Sequence, residues 1–399
     1  MLGQAGFRII QAPTFLPAYV FQLSGSTTLV GIARACQALG MLFTPIYGAT
    51  LIEHRPRVMP MVWVTGALMR VQVLLLALAG FFLGRDANLV AICVLLGLFG
   101  FFTGMQAVTF SVLTSKVIPV ESRGRLGGLR NFVAGVCATG IGFLGGHLVD
   151  IDLFGNGYAS VFLVSFALAA AGLCVLLITR EPESPTVRAP TRLRARMREL
   201  PALVRADPEY LRYVIARSLG TVGQMAVPYY IVYAAERMHL AGSHVGLFTG
   251  VFVGAQTVSN LVWGSLADRR GFRDVVAASL ATWILATAGF IHANDLASFA
   301  VAFVGLGIGL GGFQLGVLNL VLEFGEREEL PMRIALAQTA EQAVAALAPL
   351  AGAALLAFAS YPVLFWTAAA SQALALVVSL RVQDPRGKSR PPARADALA

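Results

Sequence analysis

Long apolar runs separated by short polar stretches dominate this sequence. Twelve of them are long enough to cross the hydrocarbon of a bilayer as a helix, which takes roughly 20 mostly apolar residues. The apolar positions are continuous rather than alternating, and this favours helices over the strands of a barrel. The predicted spans, numbered 1 to 12 in chain order, are 6–24, 28–50, 58–84, 88–114, 126–149, 158–179, 209–235, 243–263, 275–292, 296–322, 333–357 and 361–380.

The composition argues against a water-soluble globular protein. Only 13% of the 399 residues are charged, against about 25% in a soluble protein, and the mean hydropathy is +0.73. We therefore predict an all-α integral membrane protein. The four cysteines lie inside predicted spans without metal-ligand spacing, the five histidines are scattered, and no Ser-His-Asp grouping occurs. We expect no metal site, no cofactor and no enzymatic activity.

The net charge of +9 is distributed unevenly along the chain. If the N-terminus is cytoplasmic, 25 of the 30 basic residues, Arg8 among them, fall in cytoplasmic segments, and only Arg85 and Arg237 face the other side. Such a bias is typical of the loops that membrane insertion leaves inside. We therefore place both termini and the central loop on the cytoplasmic face of a bacterial-type inner membrane, and we do not expect nucleic acid as a partner.

The longest polar interruption, Arg180 to Pro208, divides the predicted spans six and six. Its Pro-rich part is a linker, and its Arg-rich part is either an amphipathic helix on the anionic inner leaflet or a solvated loop. The predicted organisation is an N-terminal six-helix bundle (1–179), a cytoplasmic linker (180–208), a C-terminal six-helix bundle (209–380) and a cytoplasmic tail (381–399) that we expect to be disordered.

Short matches link the two predicted bundles at a nearly constant offset. Those in spans 4 and 10 pair Gly97, Gly104 and Gln106 with Gly305, Gly312 and Gln314. Their order indicates two bundles in the same orientation, which is a parallel internal repeat.

A charged motif follows span 8, between two apolar runs. It resembles the signature Gly-x-Leu-Ala-Asp-Arg-x-Gly-x-Arg of the major facilitator superfamily, through Gly264, Leu266, Ala267, Asp268, Arg269, Gly271 and Arg273. A weaker copy after span 2, Ala49 to Arg57, places Glu53 where the signature has Asp and also contains Arg55. The resemblance covers essentially the whole chain and implies two pseudo-symmetric six-helix bundles that form a transporter.

In that family this loop joins the two bundles on the cytoplasmic side. Gly264 would allow close helix approach, and Gly271 the backbone geometry of the turn. A carboxylate at a helix end can oppose the positive dipole end of a neighbouring helix. The alternative is an ordinary loop whose arginines only follow the positive-inside bias.

The resemblance further implies the partners of the two acids. Asp268 would meet the start of span 5 near Arg125, and Glu53 would meet the start of span 11 near Arg333. We refer to these contacts as the cytoplasmic latch.

Four ionisable residues lie inside predicted spans, where each is costly unless it faces a cavity or a partner. Glu341 either exchanges protons or contacts substrate, or it forms a structural ion pair or hydrogen bond. Arg217 either binds an anionic substrate group, pairs with Glu341 or extends towards the cytoplasm. Arg34 is predicted at the mouth of a cavity, and Arg70 in a structural contact.

Amides and hydroxyls extend these charges into polar helix faces. They are further candidates for a substrate cavity, namely Gln338 and Gln342 beside Glu341, Thr221 and Gln224 beyond Arg217, Gln256 and Asn260 on span 8, Gln106 on span 4 and Gln314 on span 10.

We therefore expect a secondary transporter that moves a small organic solute by alternating access, with proton binding at Glu341 biasing the two states. Export by proton antiport is the first prediction. Uptake of an organic anion by proton symport, and a non-transporting receptor on the same scaffold, are the alternatives. The expected partners are the solute, protons and the lipid bilayer, and we expect a monomer to be the working unit.

Overall fold

The apolar runs fold as helices connected by short turns. The computed structural model describes residues 2–42, 44, 47–48, 55–117, 120–176, 181, 207–324 and 330–382, and no strand occurs among them. The α-helices are Leu2–Gln11, Phe15–Ser24, Thr27–Met41, Met59–Phe82, Arg85–Val117, Val120–Asp150, Gly157–Leu176, Pro208–Val222, Tyr230–Arg237, Gly242–Arg270, Phe272–His292, Leu296–Leu320, Leu330–Phe358 and Tyr361–Leu380.

Nine helices in this part of the chain are long and apolar enough to cross a membrane, and they correspond to predicted spans 3 to 6 and 8 to 12. The all-α membrane fold is therefore confirmed. Predicted spans 1 and 7 are each divided into two helices rather than continuous. The helix of span 2 is described over Thr27–Met41 only.

Proline accounts for both divided spans. Span 1 leaves the helical conformation at residues 12–14, which include Pro13, and span 7 passes through a 3-10 segment, Gly223–Tyr229, which contains Pro228. Proline lacks the N–H that an α-helix needs and clashes with the preceding turn. The middle of each of these two spans therefore has its backbone polar groups available to neighbouring side chains.

The two bundles meet through two helix pairs, span 5 against span 8 and span 2 against span 11. Small residues allow the first contact, because a Cβ added at Gly146 would lie 2.7 Å from the Cα of Gly246. The second is equally close, because a Cβ at Gly31 would lie 2.7 Å from the carbonyl oxygen of Pro349. Gly142 and Gly146, four residues apart on span 5, thus allow a close helix crossing.

These close contacts lie towards one end of the helices. We call it the opposite end, and we call the end that bears residues 117, 120, 176, 181, 207 and 270–272 the basic end. At the opposite end the backbone N–H of Ser243 donates to Oδ2 of Asp150 at 2.8 Å, so the end of span 5 caps the start of span 8. Nearer the middle, the hydroxyls of Thr14 and Thr249 are 2.6 Å apart. Hydrogen bonds therefore fasten the bundles together from the middle to the opposite end.

At the basic end, one acid lies near each end of the predicted linker (180–208). The Glu181 carboxylate accepts from the backbone N–H groups of Val58 and Met59, each at 2.7 Å, and pairs with Nζ of Lys116 at 3.0 Å. Burial raises the pKa of Glu181, but these hydrogen bonds and the ammonium charge outweigh it and hold the pKa below its ordinary value. The residue therefore fixes the end of span 6 to spans 3 and 4.

Asp207 has the equivalent place at the other side of the linker. Its side chain caps the helix Pro208–Val222 by accepting from the backbone N–H of Tyr210 at 3.1 Å, and it pairs with Nη1 of Arg333 at 2.6 Å. Burial raises the pKa of Asp207, but the Arg333 guanidinium and the backbone hydrogen bonds lower it further, so the net pKa is below its ordinary value.

Candidate substrate cavity

A cavity of about 510 Å³ lies between the two bundles. It extends from the middle of the helices towards the basic end, and its size falls within the roughly 300–1,000 Å³ of small-molecule sites. Spans 1, 2, 5, 7, 8, 10 and 11 contribute to its wall. Its polar residues are Arg8, Gln11, Arg34, Gln37, Asn131, Gln224, Gln256, Asn260, Gln314, Asn319 and Gln342.

Most of the residues predicted for a substrate cavity lie in this wall. They are Arg34, Gln224, Gln256, Asn260, Gln314 and Gln342. The breaks in spans 1 and 7 also border it, through Pro13 and Pro228. The structure thus brings together polar residues from both bundles, and their contact with a substrate stays a prediction.

Other residues proposed for the cavity lie elsewhere. Thr221 is fully buried and donates to the carbonyl oxygen of Arg217 in its own helix. Gln106 accepts from the Thr65 hydroxyl, between spans 3 and 4. Gln338 is half-buried and outside the wall. A polar residue in a span can satisfy its hydrogen bonds against a neighbouring helix just as well as against a cavity.

Arg217 is also buried, and its partner is Glu341. The Arg217 guanidinium donates to Oε2 of Glu341 through Nη2 and, at 3.1 Å, through Nε, and its Nη1 donates to the Tyr213 hydroxyl at 2.8 Å. The Arg217 side chain is 1% exposed and that of Glu341 is 18% exposed. Each charge therefore compensates the other inside the C-terminal bundle, next to Gln342 in the cavity wall.

Arg8 corrects an assignment made from the sequence. It was placed among the cytoplasmic basic residues, but it lies in the cavity wall and donates to Oγ1 of Thr257 on span 8 at 3.2 Å. Gly135 makes this contact possible, because a Cβ there would lie 2.7 Å from Nη1 of Arg8. The helix that carries Arg8 begins at Leu2, ahead of the predicted span, so Arg8 lies within this helix rather than at the edge of a span.

Arg34 lies on span 2 and contacts the break in span 1. Its Nη2 donates to the carbonyl oxygen of Ala12 at 2.8 Å, and its Nη1 donates to Oε1 of Gln37 at 3.2 Å. The first contact satisfies a carbonyl at the end of the helix Leu2–Gln11, where a cation is favourable. Arg70, in contrast, is buried and donates to the carbonyl oxygens of Gly66 and Ala169, in the structural role predicted for it.

The wall carries a positive charge. Arg8 and Arg34 both contribute to it, and no aspartate or glutamate does so among the residues that the structure describes. The hydrogen bonds of both guanidinium groups go to neutral acceptors. The cavity therefore combines two cations with a set of amides.

The signature loop only partly follows its prediction. Gly271 has φ 90° and ψ 164°, a conformation that favours glycine, and it separates spans 8 and 9 as expected. A Cβ added at Gly264 would have no neighbour within 4 Å among the described residues, so a close helix approach at this position stays a prediction. Asp268 and Arg269 are exposed, as is Arg55 in the first-half copy, while Arg273 pairs with Asp274 at 3.1 Å.

Only some of the residues predicted to form the latch are among the described residues. Asp268 has no hydrogen bond or ion pair within the described part of the chain. Glu53 lies outside the described residues, as do the linker residues 182–206 and the tail beyond 382. Arg333, its predicted neighbour, pairs with Asp207.

The residues of this site that sequence reasoning missed include Arg8, Asn131 and Thr257, together with the supporting Gly135. Arg8 and Gln11 are three residues apart on one helix, and this spacing could have indicated a shared polar face. Asn131 and Thr257 are single polar residues in apolar spans and give no pattern of their own.

Comparison with known proteins gives a consistent picture. A family model described as Major Facilitator Superfamily matches residues 2–241 and 214–399. The fold is similar to a mutant of the nucleoside transporter NupG (TM-score 0.73, 11% identity, 96% of this chain and 98% of that chain). It is also similar to a bacterial homologue of the iron transporter ferroportin in an inward-facing state (TM-score 0.69, 15% identity, 96% of each chain). No curated protein matches the sequence.

Proposed function

This chain belongs to the major facilitator superfamily, and from that premise we propose that it carries a small polar organic solute through its central cavity by proton-coupled alternating access. The family and the similar transporter structures make it a multi-pass membrane transporter rather than an enzyme. The identity of the solute does not transfer from those structures at 11–15% sequence identity.

The observation that carries the proposal is the asymmetry of the cavity. Close glycine contacts and the hydrogen bond between Ser243 and Asp150 close the bundles at the opposite end. The polar wall extends towards the basic end, where Asp268 makes no hydrogen bond or ion pair with the described residues of the other bundle. This arrangement is what one of the two states of an alternating-access carrier requires.

We further propose that the basic end is the cytoplasmic side of a bacterial-type inner membrane and that both termini lie there. The bias of basic residues supports this orientation. The described state is then inward-facing, as the ferroportin homologue is. One chain contains both bundles and the whole described wall, which supports a monomer as the working unit.

The ion pair of Arg217 and Glu341 is the proposed coupling site. Among the described residues, Glu341 is the only acid that the helix Leu330–Phe358 places beside the wall, next to Gln342. Its carboxylate is 18% exposed, so water can reach it, and protonation would remove the charge that holds Arg217. A proton bound there would alter the contact between spans 7 and 11, both of which line the cavity. Antiport and symport share this chemistry, and the charge of the solute distinguishes them.

A solute screen followed by flux measurements tests this function. Purified protein is screened by thermal shift at two pH values, and each stabilising solute is then applied to proteoliposomes with and without a pH gradient. Gradient-dependent solute flux supports the proposal. Binding of a solute that never crosses the membrane would support the receptor alternative instead.

A further inference from the structure

We propose that the central cavity is an anion site, in which Arg8 and Arg34 hold the negative group of a small organic anion. This inference rests on the proposed transport function and names the class of its solute. The sequence suggested Arg217 for such a role, but that guanidinium is buried against Glu341. The two arginines of the wall belong instead to spans 1 and 2.

The cavity wall carries two positive charges that no acid in the described wall balances. Neither Arg8 nor Arg34 has an ion-pair partner within the described residues, and the described wall contains no carboxylate. A cation at membrane depth is costly unless a counterion or water balances it. Two guanidinium groups in one cavity of about 510 Å³ therefore attract an anion and disfavour a cationic solute.

Both guanidinium groups also keep N–H donors that make no hydrogen bond to a described residue. A guanidinium carries five N–H donors. Arg8 uses one nitrogen, towards Thr257, and Arg34 uses two, towards Gln37 and the carbonyl oxygens of Gln11 and Ala12. These acceptors orient the side chains without neutralising them. The remaining N–H groups suit a carboxylate or phosphate, which a guanidinium can bind through two parallel hydrogen bonds.

The C-terminal bundle supplies a different surface across the cavity. Its polar wall residues are amides, including Gln224, Gln256 and Asn260. Among the described residues, the buried Oδ1 of Asn260 has no hydrogen-bond partner, so a rotation of this side chain towards the cavity that it lines would let the oxygen accept from a donor on the solute. The solute therefore combines a negative group, facing the N-terminal bundle, with hydroxyl or amine donors facing Asn260.

Arg8 also connects this site to the movement of the bundles. Its hydrogen bond to Thr257 joins span 1 to span 8, so it crosses from one bundle to the other at the level of the cavity. An anion bound to the other N–H groups of Arg8 lies beside that contact and shares the guanidinium with the threonine hydroxyl. Binding energy can thus differ between the two states, which a carrier requires.

An anionic solute also selects the coupling mode. An inside-negative membrane potential opposes the entry of an anion and assists its exit. Export therefore needs no proton, whereas uptake gains from one or more protons that cancel the charge of the solute. With a coupling site at Glu341, the anion site favours proton symport over the antiport that the sequence first suggested.

Charged thiol reagents test the site without knowledge of the solute. Leu318 lines the cavity and is exposed, so we choose Leu318→Cys in a background with Cys36, Cys93, Cys137 and Cys174 replaced by alanine. Anionic sulfonatoethyl methanethiosulfonate and cationic trimethylammonioethyl methanethiosulfonate are compared at low salt. Relative to their rates on 2-mercaptoethanol, we expect the anionic reagent to be favoured about tenfold or more.

Substitutions of Arg8 and Arg34 test whether these two residues cause the preference for the anionic reagent. Arg8→Gln and Arg34→Gln should each reduce the preference several-fold, Arg8→Lys and Arg34→Lys should retain it, and Arg269→Gln, which removes an exposed arginine outside the wall, should leave it nearly unchanged. If one glutamine variant does not fold, its lysine counterpart and the other arginine still decide. A rate ratio equal to that of 2-mercaptoethanol, or one that favours the cation, would overturn the proposal.

The thiol experiments distinguish failure of the anion site from failure of the transport proposal. An anion preference at a thiol that is reached from only one side of the membrane would keep the anion site and remove alternating access. Access from both sides without an anion preference would keep the carrier and remove the solute class.

Discussion

Arg217 and Glu341 form an ion pair between the helices Pro208–Val222 and Leu330–Phe358, one residue away from Gln342 in the cavity wall. The pair is intact while the bundles are closed at the opposite end. Spans 7 and 11 are therefore held together in this state by a contact that a single proton can weaken.

Glu341→Gln should abolish the dependence of transport on a pH gradient, because an amide cannot exchange a proton. Stability should also fall by up to the roughly 3–5 kcal/mol known for loss of one partner of a buried pair, and by less if the 18% exposure of Glu341 screens the charge. Proteoliposome flux at two pH values and thermal unfolding measure the two effects. The double variant with Arg217→Gln should recover stability without recovering coupling. Gradient-driven flux that survives in the single variant would remove Glu341 from the coupling role.

Asp150→Ala should depopulate the state described here. Loss of the hydrogen bond to the N–H of Ser243 removes a helix cap worth about 0.5–2 kcal/mol between the two bundles, and such a change shifts a two-state population roughly two- to thirtyfold. Distances between spin labels on the two bundles at the opposite end would report the shift. Asp152→Ala is the matched control, because Asp152 caps Gly157 within one bundle. Equal effects of the two variants would rule out a specific role for Asp150.

Asp268→Asn should act in the opposite direction. Asp268 has no hydrogen bond or ion pair among the residues described in this state, so the latch contact predicted for it would stabilise only a state in which the basic end is closed. The variant should therefore increase the population of the present state, as measured with the same spin labels. Normal transport together with unchanged populations would show that this acid is an ordinary loop residue.

Glu181→Gln should make the free energy of unfolding depend less steeply on pH in acid. The pKa of Glu181 is below its ordinary value in the folded protein, so its charged form stabilises the fold at pH values above the unfolded pKa, about 4.5. That contribution is lost as the pH falls through the lowered folded pKa. Thermal unfolding between pH 3 and 7, in wild type and variant, should show the two curves converging in acid and separated near neutrality by about 1 kcal/mol, the usual scale of a helix cap. A constant separation at every pH would contradict the assignment.

Much of the fold follows from the sequence, and much of the site does not. Apolar length located the spans because the bilayer sets that length. The face that each polar residue presents was harder to predict. Arg217, Thr221 and Gln224 form one stripe on an ideal helix, but span 7 changes to a 3-10 conformation at Gly223. Because that conformation has fewer residues per turn, Gln224 reaches the cavity while the other two do not.

Arg8 and Gly264 illustrate two further limits. Arg8 is at the edge of its apolar run, so it resembles a loop residue, but its helix begins at Leu2 and Arg8 lies in the cavity wall. Gly264 belongs to a recognised motif, yet in this state a Cβ added there would touch no described residue. A motif records what a residue does over a whole cycle, whereas contacts belong to one conformation.

The most direct test of the account is the sidedness of the Leu318→Cys thiol. A membrane-impermeant reagent is applied to oriented vesicles from the basic end and, separately, from the opposite end. We predict modification from both sides, faster from the basic end, with the opposite-end rate increased by Asp150→Ala. Modification from the basic end alone, unchanged by that substitution, would contradict alternating access.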